Sequence, residues 1–323
     1  MACLLCLNLS LLANLSADVM GVRLPSYDSM GRLLWEISAS EVRPMDNESY
    51  YALNPSFSIL ENRQATTTAK SSTGFFDMAE NKAKGEEVLE VKGNGFSAYG
   101  SPWEFERNEV DKARLSFAEQ ANVGFDYELA PQFAELSRDS SEVDADELKW
   151  GQKKGKMGGR APLPDLDDFP TTAWAQSFLL IDQGNGKHQF ELKGDTEIKM
   201  QMVDENGSDA EETIITCEQA TLYLVNERNS SQPTAGKILK IEALGNVMVQ
   251  QPARTCTAQS ILWNEDGAGL ILDGNATVYD SKWGKAEGSR IILRKEDGRA
   301  EVVGGEGRSK LSIPMSPNFR FPK

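Results

Sequence analysis

A single histidine, His188, sets the first limit on the chemistry open to this chain. A zinc site with two or more imidazole ligands cannot be assembled, and a Ser–His–Asp triad would have to use this one residue. His188 opens the alternating run His188-Gln189-Phe190-Glu191-Leu192 and shares the phase of Phe190 and Leu192. That placement reads as structural or ligand-contacting rather than catalytic. The four cysteines are Cys3, Cys6, Cys217 and Cys256. Matching Thr216-Cys217 to Thr255-Cys256 puts the last two on one face of their strands, whereas matching Gln219 to Gln259 puts them on opposite faces. A disulfide and a pair of buried thiols therefore both stay open.

Other constellations are weaker. Gly93-Asn94-Gly95-Phe96-Ser97-Ala98 has the glycine spacing of a dinucleotide fingerprint, but that motif needs a helix after it. Gly100-Ser101-Pro102 and the alternating Trp103-Glu104-Phe105 follow instead, so the glycines read as a β-turn. The run from Gly304 to Gly307 lacks the Lys-Ser/Thr ending of a phosphate loop. Asp165, Asp167 and Asp168, and separately Asp204, Asn206 and Ser208, lack the glycine and glutamate that complete an EF-hand loop. They read as solvated linker and hairpin turn. No motif selects a pair of carboxylates for glycoside hydrolysis. The expectation is a protein without catalytic residues, metal or cofactor.

The elements that would position these residues are strands. Period-two alternation dominates beyond residue 20, as in Phe190, Leu192, Ile198, Met200 and Met202 with Glu191, Lys193, Glu197, Lys199 and Gln201 between them. Leu239, Ile241 and Ala243 alternate in the same way with Lys240 and Glu242. Breaks recur at Gly194-Asp195, Gly245-Asn246, Gly274-Asn275 and Gly304-Gly305, each preceded by a segment of the Ala175-Gln176-Ser177-Phe178-Leu179 kind. A unit of two strands and a bend cannot bury its apolar face alone, so the units must stack. In the first half, Asn81 to Gly85 reads as a turn in a diverged form of the unit.

The chain has 323 residues and a formal net charge of −15, with 40% hydrophobic and 26% charged residues. So acidic a chain lacks the basic stripe that nucleic acid requires, and no nucleic-acid partner is expected. Residues 1–19 read as a signal peptide or a short anchor, although the first positive residue is Arg23. Residues 129–171, rich in Pro, Gly and charge, read as a flexible linker. This gives two stacked-strand domains, 20–128 and 172–315, and a tail, 316–323. By phase, the inward-facing candidates are Phe190, Leu192, Ile198, Met200, Leu222, Leu224, Ile241, Val247, Val249, Leu262, Leu272, Val278 and Ile291. Leu311, Ser312 and Ile313 form a last strand before Pro314, with Leu33 to Ile37 marking the opposite end.

Two stretches resemble known families. Leu24-Pro25-Ser26-Tyr27-Asp28-Ser29-Met30-Gly31-Arg32-Leu33-Leu34-Trp35-Glu36-Ile37-Ser38-Ala39 is similar to the opening strand pair of LptC-type proteins. Ala258-Gln259-Ser260-Ile261-Leu262-Trp263 and Leu270-Ile271-Leu272-Asp273-Gly274-Asn275-Ala276-Thr277-Val278 resemble the OstA-like repeat of LptA. The resemblance implies an all-β fold of OstA-like β-jellyroll repeats, opened like a taco shell. It implies non-enzymatic binding of lipopolysaccharide, through lipid A, and its transport across the periplasm to the outer membrane. The inward-facing candidates would then line a lipid groove. Leu311, Ser312 and Ile313 would add to the edge of another β-jellyroll transport protein, in the periplasm and free or tethered to the inner membrane. The long linker, the long polar insertions and the weak N-terminal anchor depart from that pattern. A structural β-repeat scaffold of the cell envelope, with a closed core, is the alternative.

Overall fold

The computed structural model describes residues 19–27, 30–31, 33–46, 48–61, 64–107, 113–126, 166, 169–184, 186–202, 211–225, 237–264, 269–281, 284–294, 300–303 and 310–312. Residues 1–18, most of 129–171, the Asp165 and Asp204 clusters, the glycines from 304 to 307, Ile313 and residues 316–323 lie outside these residues.

Among the described residues the protein is all-β, with no helix. In the first half the strands are β1 (Val19–Tyr27), β2 (Leu33–Pro44), β3 (Ser49–Leu53), β4 (Ser56–Glu61), β5 (Gln64–Lys70), β6 (Thr73–Asp77), β7 (Lys82–Gly85), β8 (Leu89–Gly93), β9 (Phe96–Arg107) and β10 (Ala113–Phe125). In the second half they are β11 (Thr171–Ala175), β12 (Ser177–Gly184), β13 (Lys187–Met202), β14 (Glu211–Val225), β15 (Lys237–Gln251), β16 (Arg254–Asn264), β17 (Gly269–Asp280), β18 (Gly284–Arg294), β19 (Ala300–Val303) and β20 (Lys310–Ser312). All pairings are antiparallel, and together they make one ladder that climbs in chain order.

Each rung of the ladder has two arms. β2 pairs with β4 through Trp35–Ser38 and with β3 through Glu41–Pro44. One track runs through β4, β5 and β8, the other through β3, β6 and β7, and both rejoin on β9. β10 divides the same way, its Ala121–Phe125 arm pairing with β11 and its Ala113–Phe117 arm with β12. From β13 to β18 every rung is one long strand, paired along both arms. The arms thus define a front half-sheet on the β4 side and a back half-sheet on the β3 side.

The half-sheets meet face to face through aromatic rings. Front Phe57 and back Phe105 have centroids 4.5 Å apart, and front Phe96 and Phe125 lie 5.2 Å and 4.9 Å from back Phe190. These contacts also span the chain. β10, from the 20–128 stretch, pairs with β11 and β12, and Phe190 packs against rings from both stretches. The ladder and its core are continuous where the sequence divides into two compositions.

The bend between arms is written in the Gly-Asx pairs. Gly194-Asp195, Gly245-Asn246 and Gly274-Asn275 all have positive φ at both residues, which glycine tolerates freely and Asn or Asp better than other side chains. They sit mid-strand in β13, β15 and β17. β14 and β16 turn the same corner with one residue fewer than the Gly-Asx strands beside them: Thr216 and Gln219 pair with Met248 and Leu244, and Thr257 and Ser260 pair with Thr277 and Asp273. The Gly-Asx strand β13 keeps its inward phase across the corner, from Leu192 to Thr196, whereas β14 and β16 invert theirs, from Cys217 to Ala220 and from Ala258 to Ile261.

That inversion corrects two readings. Leu262 is half-buried, and Ile261 and Trp263 face inward, because the phase of β16 inverts at the Gln259 corner. Leu239 likewise yields to buried Ile238, at a shift where Tyr223 pairs with Lys240 and Leu224 with Ile238. Two further corrections concern the first half. Lys82–Gly85 is strand β7 rather than a turn, the turn being Met78–Asn81. Among the described residues the first strand of the ladder is β1, which covers β2 and with it Leu33 to Ile37.

Candidate functional site

Among the described residues, side chains from both halves of the chain converge in the interior between the half-sheets. Phe190, Ile198, Met200, Leu222, Ile241, Leu272 and Ile291 have no exposed surface. Leu192, Leu224, Val247, Val249 and Val278 are also buried. The bulges and corners keep these twelve on one face, and they are tightly packed. None of them lines the apolar cavity, which lies farther toward the first half and measures about 30 Å³. Phe57, Ile59, Val91, Phe105, Leu115 and Leu180 form its walls, and Asp182 and His188 its polar end. Thirty cubic ångströms is about the share of one water molecule.

His188 is 6% exposed and its Nδ1 lies 3.8 Å from Asp182 Oδ1. The two residues pair across β12 and β13 near the hairpin that joins them, with the Phe96 ring 5.4 Å from the imidazole. A second polar station occurs at the far end of the front half-sheet. A cross-strand row there reads Thr171, Met200, Thr213, Gln251, Arg254 and Asp280. Register places Gln251 opposite Thr213, and its Nε2 donates to Thr213 Oγ1 at 3.4 Å. Arg254 donates through Nε and Nη2 to Asp280 Oδ2 at 3.0 and 2.7 Å, and both side chains are buried. A buried guanidinium survives only when a carboxylate offsets its desolvation. Polar side chains thus stand at the strand ends, and apolar ones fill the space between.

Cys217 and Cys256 are both inward-facing and free. They belong to β14 and β16, with β15 between them. At a strand spacing of about 4.8 Å their Cα atoms are some ~9.6 Å apart or more, beyond disulfide reach. Burial pushes both thiols up to about 12. As neutral thiols they cannot act as nucleophiles near neutral pH. No three or more His, Cys, Asp or Glu side chains converge on a metal position among the described residues.

On the outer face of the back half-sheet, a groove of about 500 Å³ carries Asp77, Lys82, Lys84, Glu104, Glu106 and Arg114. These alternate in sign across the strands, as in the 3.5 Å pair of Arg114 with Glu106, so the groove neutralises itself and favours no charged ligand. At the ladder's ends, β1 pairs only with β2, and β19 and β20 only with β18, among the described residues. Leu311 and Ser312 face Ala286 and Lys285 there.

Sequence reasoning found the packed interior of the second half and missed the cavity. The signal was present in the alternation of Phe57 with Ile59 and of Trp103 with Phe105. It was obscured because the first-half rungs are split into short strands, without the Gly-Asx breaks that flagged the repeat.

Fold and interior together define an all-β protein, a bent antiparallel ladder closed over an apolar core with polar strand ends. No protein-family model, no curated protein and no solved structure matches the chain.

Proposed function

We propose that this protein is a non-enzymatic binder of lipopolysaccharide or a related lipid, acting in the periplasm as one module of a β-jellyroll bridge to the outer membrane. The observation that carries the reading is the cavity between the half-sheets, whose surface is almost wholly apolar although Thr67, Asp182 and His188 stand among its lining residues. The acyl part of an amphiphile suits that surface. Acyl chains can enter such a space without stranding backbone groups, because every rung is hydrogen-bonded along the ladder and not across it. Entry requires the half-sheets to part, since the cavity as it stands holds about one water. The partner-binding part of the proposal rests on the ladder's ends, where β1 and β20 offer backbone groups for strand addition by a protein of the same build.

The tightness of the second-half interior favours a different reading, a structural β-repeat scaffold whose core is simply filled. One experiment separates the two. A photo-reactive amino acid is placed at Leu180 in the cavity wall and, as a control, at exposed Tyr279. After illumination with lipid A micelles, adducts at position 180 and not at 279 support the lipid reading. Equal or absent labelling at the two positions leaves the scaffold.

A further inference from the structure

The outer face of the front half-sheet holds a second pocket, unrelated to the apolar interior. It measures about 250 Å³ and lies where β10, β11 and β13 run side by side. Asn122, Trp174 and Glu197 are consecutive in one cross-strand row, with Thr172 opposite Lys199 in the next. All alternate with inward residues such as Val123, Ala173 and Ile198, so their side chains stand on the outside.

A wall closes the pocket on one side. Phe169 N–H donates to the Leu166 carbonyl at 2.9 Å, and Gln201 N–H donates to the Pro170 carbonyl at 2.7 Å. Gly124 admits this segment: a β-carbon there would lie 2.6 Å from the Phe169 ring. Leu166 is thereby held in the pocket lining with 7% of its surface exposed. The pocket is a built feature of the fold and not a gap between side chains.

Its chemistry is specific. A half-buried indole supplies an apolar face, and the polar groups beside it supply both signs of hydrogen bond. Glu197 Oε1 accepts and Lys199 Nζ donates, and the two atoms are 3.3 Å apart. Asn122 lines the pocket, but its Oδ1 is buried, so the polar contacts open to a ligand are those of Glu197 and Lys199. A ligand matching this set has one flat apolar side, adjacent hydroxyls that can each donate and accept, and no net charge, since Glu197 and Lys199 cancel.

We propose that this pocket binds a neutral pyranose ring, as part of a glycan, with the C–H face of the sugar on Trp174. Two neighbouring hydroxyls bridge Glu197 and Lys199. The pocket is shallow and has one aromatic, so single-sugar affinity is weak, with Kd on the order of 1 mM. The site is independent of the interior and stands whether or not the protein carries lipid.

The test uses the whole protein and four probes: glucose, galactose, N-acetylglucosamine and N,N′-diacetylchitobiose. Binding is followed by isothermal titration calorimetry. At least one sugar is expected to bind in the millimolar range. Trp174→Ala should weaken it by tenfold or more, with Trp174→Phe keeping part of the affinity. Lys199→Met, at an exposed position that leaves the fold intact, should weaken the same sugar by at least threefold. Near-ultraviolet circular dichroism checks that each variant is folded. Absence of binding by all four sugars overturns the proposal. So does a sugar that binds Trp174→Phe, Lys199→Met and the parent equally, since binding would then lie elsewhere.

Discussion

At the scale of single residues, the interior is unforgiving of charge. The thiols of Cys217 and Cys256 are held near 12 by burial, against an ordinary value of 9.0. In the folded protein both stay protonated well above the pH at which unfolded thiols ionise. Their contribution to stability is therefore complete below about pH 9 and is lost as pH climbs from 9 towards 12, at about 1.4 kcal/mol per unit for each thiol. Urea denaturation at pH 8, 9.5 and 10.5 should show this fall, and a Cys217→Ser/Cys256→Ser variant should flatten it. A thiol reagent at pH 8 should modify neither cysteine until urea is added; rapid native labelling would mean that they are not buried as described. Arg254 and Asp280 are two buried charges that offset each other. Asp280→Ala strands a buried guanidinium and should cost about 3–5 kcal/mol, whereas Arg254→Met with Asp280→Leu should lie close to the parent. If the single and double variants lose equal stability in urea melts, the pair matters for its packing and not for its charge.

At the scale of elements, the device that shapes this protein is the mid-strand corner. Gly245 has φ of +79°, and an added β-carbon would come within 2.4 Å of the Glu218 carboxylate. Gly194 and Gly274 nest in the same way against Gln176 and Gln259. Neighbouring corners are tied by Gln176 Nε2 donating to Asp195 Oδ2 at 2.9 Å and by Asn246 Nδ2 donating to Glu218 Oε1 at 2.6 Å. The repeat seen in the sequence is thus the repeat of a corner and its polar clasp. Gly245→Ala should destabilise by about 1–3 kcal/mol, from the left-handed backbone together with displacement of Glu218. Asn246→Gly keeps the backbone and should stay within about 1 kcal/mol. Chemical denaturation of the two variants decides the matter, and equal effects would mean that the corner is not conformationally constrained.

At the scale of the whole molecule, the consequence of one ladder is cooperativity. Phe190 touches Phe96 and Phe125 from the first stretch and Phe178 from the second. Phe190→Ala should cost about 3–5 kcal/mol. Because the contact is shared, both stretches should be weakened. Trp103 reports on the first and Trp263 on the second. In variants retaining one of these two tryptophans, the fluorescence transitions should coincide, and both should move together when Phe190 is removed. Two separated transitions, with only one moved, would mean that the stretches fold as independent units.

Much of this was legible in the residues alone. Alternation declared strands, because a strand's side chains point to opposite faces whatever surrounds it. The Gly-Asx pairs declared the bends, because few other residues accept positive φ. The inward phase of Phe190, Leu192, Ile198 and Met200 followed directly. What the sequence could not hold is any property set by a neighbour far along the chain. Whether Leu262 or Trp263 faces inward depends on a register shift against β15 and β17, and alternation read along one strand does not contain it. The separation of Cys217 from Cys256 depends on β15 lying between them. The cavity of Phe57, Phe105 and Leu180, and the outer pocket of Asn122, Trp174 and Glu197, exist only where strands distant in sequence pair side by side. Local chemistry decided the elements. Strand order and register, which are long-range pairings selected by the burial of a common core, decided the sites.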